Sequence, residues 1–599
     1  MFEQVIDPVG GSLALSALVA AIPLVTLFVL LGVLRMKAWM AGVISLVVSI
    51  LVAVVAFGMP VGQSLLSASE GAAFGFFPIL WIVINAIWVY NLTVTTGHFD
   101  VLRRSFERVS PDVRVQSIIV AFCFGALLEA LAGFGTPVAI TVVMLMSLGF
   151  TPLKSAALSL IANTAPVAFG ALASPVVALA TVTSGASDDA RLTVDSLGAM
   201  IGRQTPILAV IVPLILVFVA DGKRGVRETW VPALTAGITF GVAQFVAANY
   251  ISVPLTDIVA SLVSAGAVVL VTRASRPERV GAVAGAAGAG SVATAGAAGA
   301  GSIATAGADV GATAGTELGD RPGGQDSRDE HAPRSDPRGL ADSPVLPYNR
   351  TEVIKAYAPY LIIIAIFSIT NIPAVKAALA QPPWAYKFAW PGLHVFAPGA
   401  TEELSTGTYS FNWLPAAGTL LIISGILTML VLRISPGRAL RAYVDTYREL
   451  KWAIVTVMAV LALAYVMNLS GQTATLGAAL AQTGAFFAFL SPILGWIGVG
   501  VTGSDTSANA LFGALQVQTA ARTGLDPLLL AAANSSGGVL GKMISPQNLA
   551  IAAAAVGMAG REGELFRKVF GWSMVLLLAM CVIVVLQASP VLGWMVPGQ

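Results

Sequence analysis

Apolar runs of about twenty residues recur along the chain and are separated by short clusters of Lys and Arg, the pattern of helices that each cross a bilayer. The first two runs, 13–34 and 38–57, are joined by Arg35 and Lys37. The third, 74–93, leads to Arg103, Arg104, Arg108 and Arg114. Because Lys and Arg concentrate in cytoplasmic loops, both joints are expected inside and the N-terminus outside. Further crossings are expected at 155–181, 205–220, 230–249 and 255–272, then at 357–370, 413–432, 452–469, 528–556 and 571–587. Two of these are interrupted by polar residues, at 163–166 and 534–538. The first apolar run is longer than a signal-peptide core and reads as a retained span.

Two stretches depart from simple crossing. Residues 116–149 read as a hairpin that enters and leaves on the cytoplasmic side, with its tip at 133–137. Within 452–521 a second hairpin is expected to enter from outside, with its tip at 503–507. Asn163, Gly170, Ser174 and Pro175 recur at one constant offset as Asn534, Gly541, Ser545 and Pro546. Together with the opposite openings of the hairpins, this predicts an inverted-topology repeat, a common basis of alternating access in carriers. The fold expected is an all-α polytopic integral membrane protein with about 12 spans plus two re-entrant hairpins.

Composition narrows the function. The chain is 56% hydrophobic and 11% charged, against about 25% charged residues in soluble domains, so a soluble globular protein is excluded and the lipid bilayer is an expected partner. The net charge of +2 is spread over short clusters, giving no basis for a nucleic-acid partner. Residues 281–347 carry Ala/Gly repeats (GAVAGAAGAGSVATAGAAGAG) and then a polar, Pro-rich tract. They read as a flexible, cytoplasmic linker between an N-terminal transmembrane half, 1–280, and a C-terminal half, 348–599. No lysine follows the GAAGAG run where a phosphate-binding loop needs one, and ATP-driven transport is unsupported. The two cysteines, Cys123 and Cys581, and the scattered histidines, His98, His331 and His394, form no ligand cluster, so neither metal nor cofactor is expected.

Candidate chemistry lies where helix ends fall inside the apolar runs. Such ends expose backbone N–H groups that attract an anion. Gly133, Gly135 and Thr136, then Asn163 and Thr164, are placed at such ends in the first half. Gly503, Ser504, Thr506 and Ser507, then Asn534, Ser535 and Ser536, are their counterparts in the second. Small residues there equally permit close helix packing. Glu129 and Asp505 are acids within otherwise neutral stretches, and buried carboxyls are natural proton carriers; a structural hydrogen bond for Glu129 and a helix cap for Asp505 are the alternatives. Arg203 and Lys542 could each meet a substrate carboxylate or snorkel to the interface. His98 is a third candidate for proton coupling.

The sequences AAFGFFPILWIVINAIWVYNLTVTTGHFDVLRRS (72–105), FGALLEALAGFGTPVAI (124–140), LIANTAPVAFGA (160–171), TGSDTSAN (502–509) and GGVLGKMISPQNLAIA (537–552) resemble the lactate permease family. The resemblance spans both halves. It implies uptake of L-lactate, and of glycolate or related 2-hydroxy monocarboxylates, in symport with protons across the bacterial inner membrane. The long linker departs from a compact permease. A carrier for another organic anion, sodium-coupled in one version, and a membrane-embedded enzyme are the competing readings. Nothing in the residues specifies an oligomeric state.

Overall fold

The structure, a computed structural model, describes residues 1–107, 109–133, 135–187, 189–274, 346–400 and 402–598. The expected linker, apart from residues 346–347, and His331 within it lie outside the described residues. Helices dominate, and ten helical stretches are long and apolar enough to cross a membrane, or eleven if the bent pair Pro152–Ala162 and Val167–Thr183 counts as one span. About twelve were expected besides the hairpins; the ten, counted among the described residues, include Val113–Ala132 and Gln472–Thr502, which carry the first arms of the hairpins, and other differences lie in how stretches are divided. The 58-residue stretch Val194–Ile251 holds two expected crossings, because the backbone leaves helical geometry at Asp221 and Gly222. The helix Ala417–Val431, at 15 residues, is shorter than a full crossing.

Loops expected on one side of the bilayer bond to one another. Arg114 reaches Asp221 at 3.0 Å and Glu228 at 2.8 Å, and Lys154 donates to the carbonyl of Ala220. On the opposite face Arg191 bridges Asp189 and Asp526, and Lys376 pairs with Asp195. The Arg191 guanidinium, hydrogen-bonded to Asp189, holds that carboxyl below the usual range. The second face also carries an ordered cap. Tyr386–Ala389 pairs antiparallel with Thr408–Phe411, and Val395–Phe396 pairs parallel with Phe2–Glu3. Gln63 clamps the backbone of Gly392 and His394, and Trp390 donates to Ser69, so the cap sits on the helix Val61–Phe74. These short sheets are an addition to the all-α expectation.

The helical stretch Val113–Ala132 is buried from Val115 onward, and the chain turns at Gly135, φ +85°, into Thr136–Ser147. The second hairpin, Phe487–Thr502 and Asp505–Thr523, turns at Gly503, φ +74°. Both turns need a left-handed residue, which glycine adopts without a Cβ clash. The break expected at 163–166 is present: the helix Pro152–Ala162 ends there, and Ala171, Leu172 and Ala173 are left-handed before the chain resumes its helix.

The break expected at 534–538 is not there. Pro527–Gly541 is one helix through Asn534, Ser535 and Ser536, and the interruption falls at Lys542–Ser545, with Pro546–Ala555 following. The physical reason is packing: a Cβ on Gly537 would collide with the carbonyl of Pro492, and one on Gly495 with that of Asn534. The small residues let Phe487–Thr502 and Pro527–Gly541 approach backbone to backbone, so they serve contact rather than helix breaking.

Replacing Gly537 with Val should therefore destabilise the purified protein by about 1–3 kcal/mol, the usual cost of overpacking. Thermal unfolding in detergent measures it, with Gly563→Ala, at a site with nothing within 4 Å, as the unaffected control. An unchanged melting temperature for Gly537→Val would refute the packing account.

Candidate functional site

Each hairpin tip is seated on the broken helix of the other half. At the first tip, a Cβ on Gly135 would press into Ile551 and lie 3.5 Å from Asn548 Oδ1. At the second, Thr506 Oγ1 lies 3.5 Å from Ser174 Oγ, and Asn509 donates to the carbonyl of Pro175 at 3.1 Å. Gly503 also packs against Gln547. The Ser174–Pro175 and Ser545–Pro546 pairs thus stand at comparable places, where an interrupted chain returns to helix.

Between the tips lies a buried ion pair that joins the halves. Lys542 Nζ is 2.5 Å from Glu129 Oε1, and Asn163 Nδ2 donates to Glu129 Oε2 at 2.9 Å. Glu129 is 2% exposed and Lys542 7%. Lys542 is the one Lys or Arg buried to this degree among the described residues, against four buried acids: Glu70, Glu129, Asp257 and Asp505. Gly170 makes room for the carboxylate, since a Cβ there would stand 2.9 Å from Glu129 Oε1. The Lys542 side chain issues from the short turn after Gly541, whose geometry is fixed by Ser545 and Asn548 bonding to the Lys542 carbonyl. Asn163 Oδ1 has no partner, leaving one buried acceptor beside the pair.

Asp505 occupies a neighbouring position. Its Oδ2 accepts from Ser535 at 2.6 Å and Asn509 at 3.3 Å, while Oδ1 faces Gly538 without a hydrogen-bond partner. Asp505 does not cap its helix. That role falls to Ser504, whose hydroxyl accepts from the Ser507 N–H, which frees the Asp505 carboxyl to point inward. Asn534 donates to Asn509 and accepts from Gln516, and Ser536 donates to Gln204, which in turn donates to Gln587. Thr164 spends its hydroxyl on the carbonyl of Ile161.

Of the remaining candidates, Arg203 and His98 lie apart from this group. Asn163–Ala165 follows the C-terminal end of a helix, and Asn534–Ser536 sits mid-helix, so neither presents the free N–H groups that the sequence pattern suggested. Gly133 closes the end of Gly125–Ala132 beside Glu129, and Thr136 begins the next helix. Arg203 is a tether, donating to Asn249 and to the carbonyl of Met595. His98 is buried at the junction with the helix Arg350–Thr370, 2.9 Å from Thr96 Oγ1 and 3.1 Å from Glu352. Burial lowers the pKa of this imidazole, and the Glu352 charge opposes that shift.

Two buried acids went unread in the sequence. Asp257 opens the helix Thr256–Ala274 and is wholly buried, as is Glu70 in Val61–Phe74. Asp257 lies at the edge of an apolar run and Glu70 just ahead of one, so both look like loop charges. The rule that singled out Glu129, an acid beside or within an apolar run, would have found both if applied a turn further out.

Comparison with known proteins places the chain among permeases. A family model described as L-lactate permease matches residues 16–316 and 320–591. The glycolate permease GlcA of Escherichia coli is 40% identical over 99% of both chains. The L-lactate permeases of Bacillus subtilis and of Escherichia coli are each 38% identical over the full length of both chains.

Removing one partner of a buried pair strands a charge, at a cost of about 3–5 kcal/mol, whereas removing both is far milder. Glu129→Gln and Lys542→Met should each lower the melting temperature more than the double variant does. Additive losses would show that the two side chains are not paired.

Proposed function

The chain belongs to the L-lactate permease family, and from that premise we propose that it is a secondary transporter of L-lactate and glycolate, driven by protons across the bacterial inner membrane. The observation that carries the reading is the Glu129–Lys542 pair with Asn163 beside it, a buried contact between residues of the two halves.

While Glu129 is ionised, it neutralises Lys542 and the site has no charge to offer an anion. A proton arriving at Glu129 removes that charge and frees the ammonium for the carboxylate of a hydroxy acid. A carboxylate moved alone into a low-dielectric interior carries a large desolvation cost. Moved together with a proton and matched by Lys542, it adds no net charge to the site. The unpartnered Oδ1 of Asn163 is suited to accept from the 2-hydroxyl, the group common to lactate and glycolate. After the halves rearrange, loss of the proton to the cytoplasm restores the Glu129 charge. Lys542 then returns to Glu129 and the substrate leaves.

A void of about 10 Å³ lined by Thr164, Ala165, Thr205 and Leu540 has room for about one water.

Purified protein in sealed vesicles should concentrate labelled L-lactate when the outside is acidic, and collapse of the proton gradient should abolish it. Glu129→Gln, held neutral, should lose concentrative uptake by at least about tenfold, as expected for a buried charge partner, yet retain exchange of lactate for lactate. Lys542→Met should lose both. Accumulation that requires sodium and ignores the proton gradient would overturn proton coupling.

A further inference from the structure

The transport site contains more negative groups than one lysine can neutralise. Glu129 takes Lys542 at 2.5 Å, and Asp505 has two side-chain donors. Asp257 has neither a cation nor a full set of donors. Its Oδ1 accepts from Gln244 Nε2 at 3.2 Å, and its Oδ2, buried, has no hydrogen-bond partner. Gln244 is itself fixed, donating also to the carbonyl of Ala165 and accepting from Thr205. Ala165 belongs to the interruption that sets Asn163 against Glu129. Asp257 is therefore joined to the site through one rigid amide.

The charges that reach Asp257 are those of Glu129, on the helix Gly125–Ala132 that packs against Thr256–Ala274, and of Lys542. Cys123, which also faces Thr256–Ala274, meets Ser264 about two turns away and is a buried thiol. Asp257 thus has one cation within reach, already engaged by another acid, and an oxygen with nothing to accept from. An O–H on Oδ2 removes the uncompensated charge, which a buried carboxylate otherwise has to sustain.

We infer that Asp257 is a second proton-holding acid of the transport site, neutral while Glu129 pairs with Lys542. The inference rests on the transport reading above. It deepens that reading by making proton uptake a property of the Glu129–Asp257 pair. Loss of the proton from Asp257 would add a second negative charge to the surroundings of Glu129, a repulsion that opposes that loss.

The test begins with proton-driven lactate accumulation by the unaltered protein in vesicles; its failure strikes the transport reading rather than this one. With accumulation established, Asp257→Asn keeps the acceptor for Gln244 but cannot release a proton. It should move the pH midpoint of uptake by about one unit, the scale of coupled sites, and remove one protonated-carboxyl band from the infrared spectrum of the lactate-free protein. Asp257→Glu, which still titrates, should restore a pH-sensitive profile. A wild-type pH profile and an unchanged carboxyl band in Asp257→Asn would overturn the inference. A measurement needing no variant at Asp257 guards against misfolding: protein grown with isotopically labelled aspartate should show a shifted protonated-carboxyl band at neutral pH. Absence of any such band overturns the inference as well.

Discussion

A single buried ammonium and its one carboxylate partner are the constraint on which this molecule depends. Lys542 is buried and sits 2.5 Å from Glu129, and a charge in such a place is tolerable only with a partner. The partner comes from the other half of the chain, so the pair ties the halves together. It also makes their separation costly unless something replaces the lost contact. In the transport reading proposed above, a substrate carboxylate replaces that contact as a proton neutralises Glu129.

The surrounding structure serves that exchange. The glycines at the hairpin tips and in Pro527–Gly541 bring backbones close enough for short side chains to reach across. Gly170 leaves the Glu129 carboxylate its space, and Asn163 holds the carboxylate from the far side. Amides and hydroxyls, among them Asn509, Gln516, Asn534 and Ser536, bond to one another within the protein. Polar residues at this depth are stable because they bond to each other. Asn163 Oδ1, beside the buried pair, and Asp505 Oδ1, at the second tip, are left without a hydrogen-bond partner.

Much of this was legible in the chain. Apolar run length gave the membrane class, and isolated glycines before Thr136 and Asp505 marked both turns, because a left-handed residue there is a local requirement. Glu129 stood out as an acid in an otherwise neutral stretch and Lys542 as a cation that could meet a carboxylate or snorkel to the interface, but their pairing was not legible, since they lie far apart in sequence and meet only through the fold. The Asn534–Gly538 segment misled because glycine signals two things: freedom to break a helix and permission for a neighbour to approach. Only the position of Pro492 and Asn534 across the contact decides between them. Arg203 was indistinguishable from Lys542 by composition, and its bonds to Asn249 and Met595 required knowing where the C-terminus returns.

The central claim is that a substrate carboxylate takes the place of Glu129 at Lys542 as Glu129 gains a proton. Calorimetric titration of purified protein with L-lactate in buffers of different ionisation enthalpy counts that proton directly. At a pH where Glu129 is ionised in the free protein, the account predicts uptake of about one proton per lactate bound, lost in Glu129→Gln. Binding by the unaltered protein with no proton uptake at any pH would contradict it.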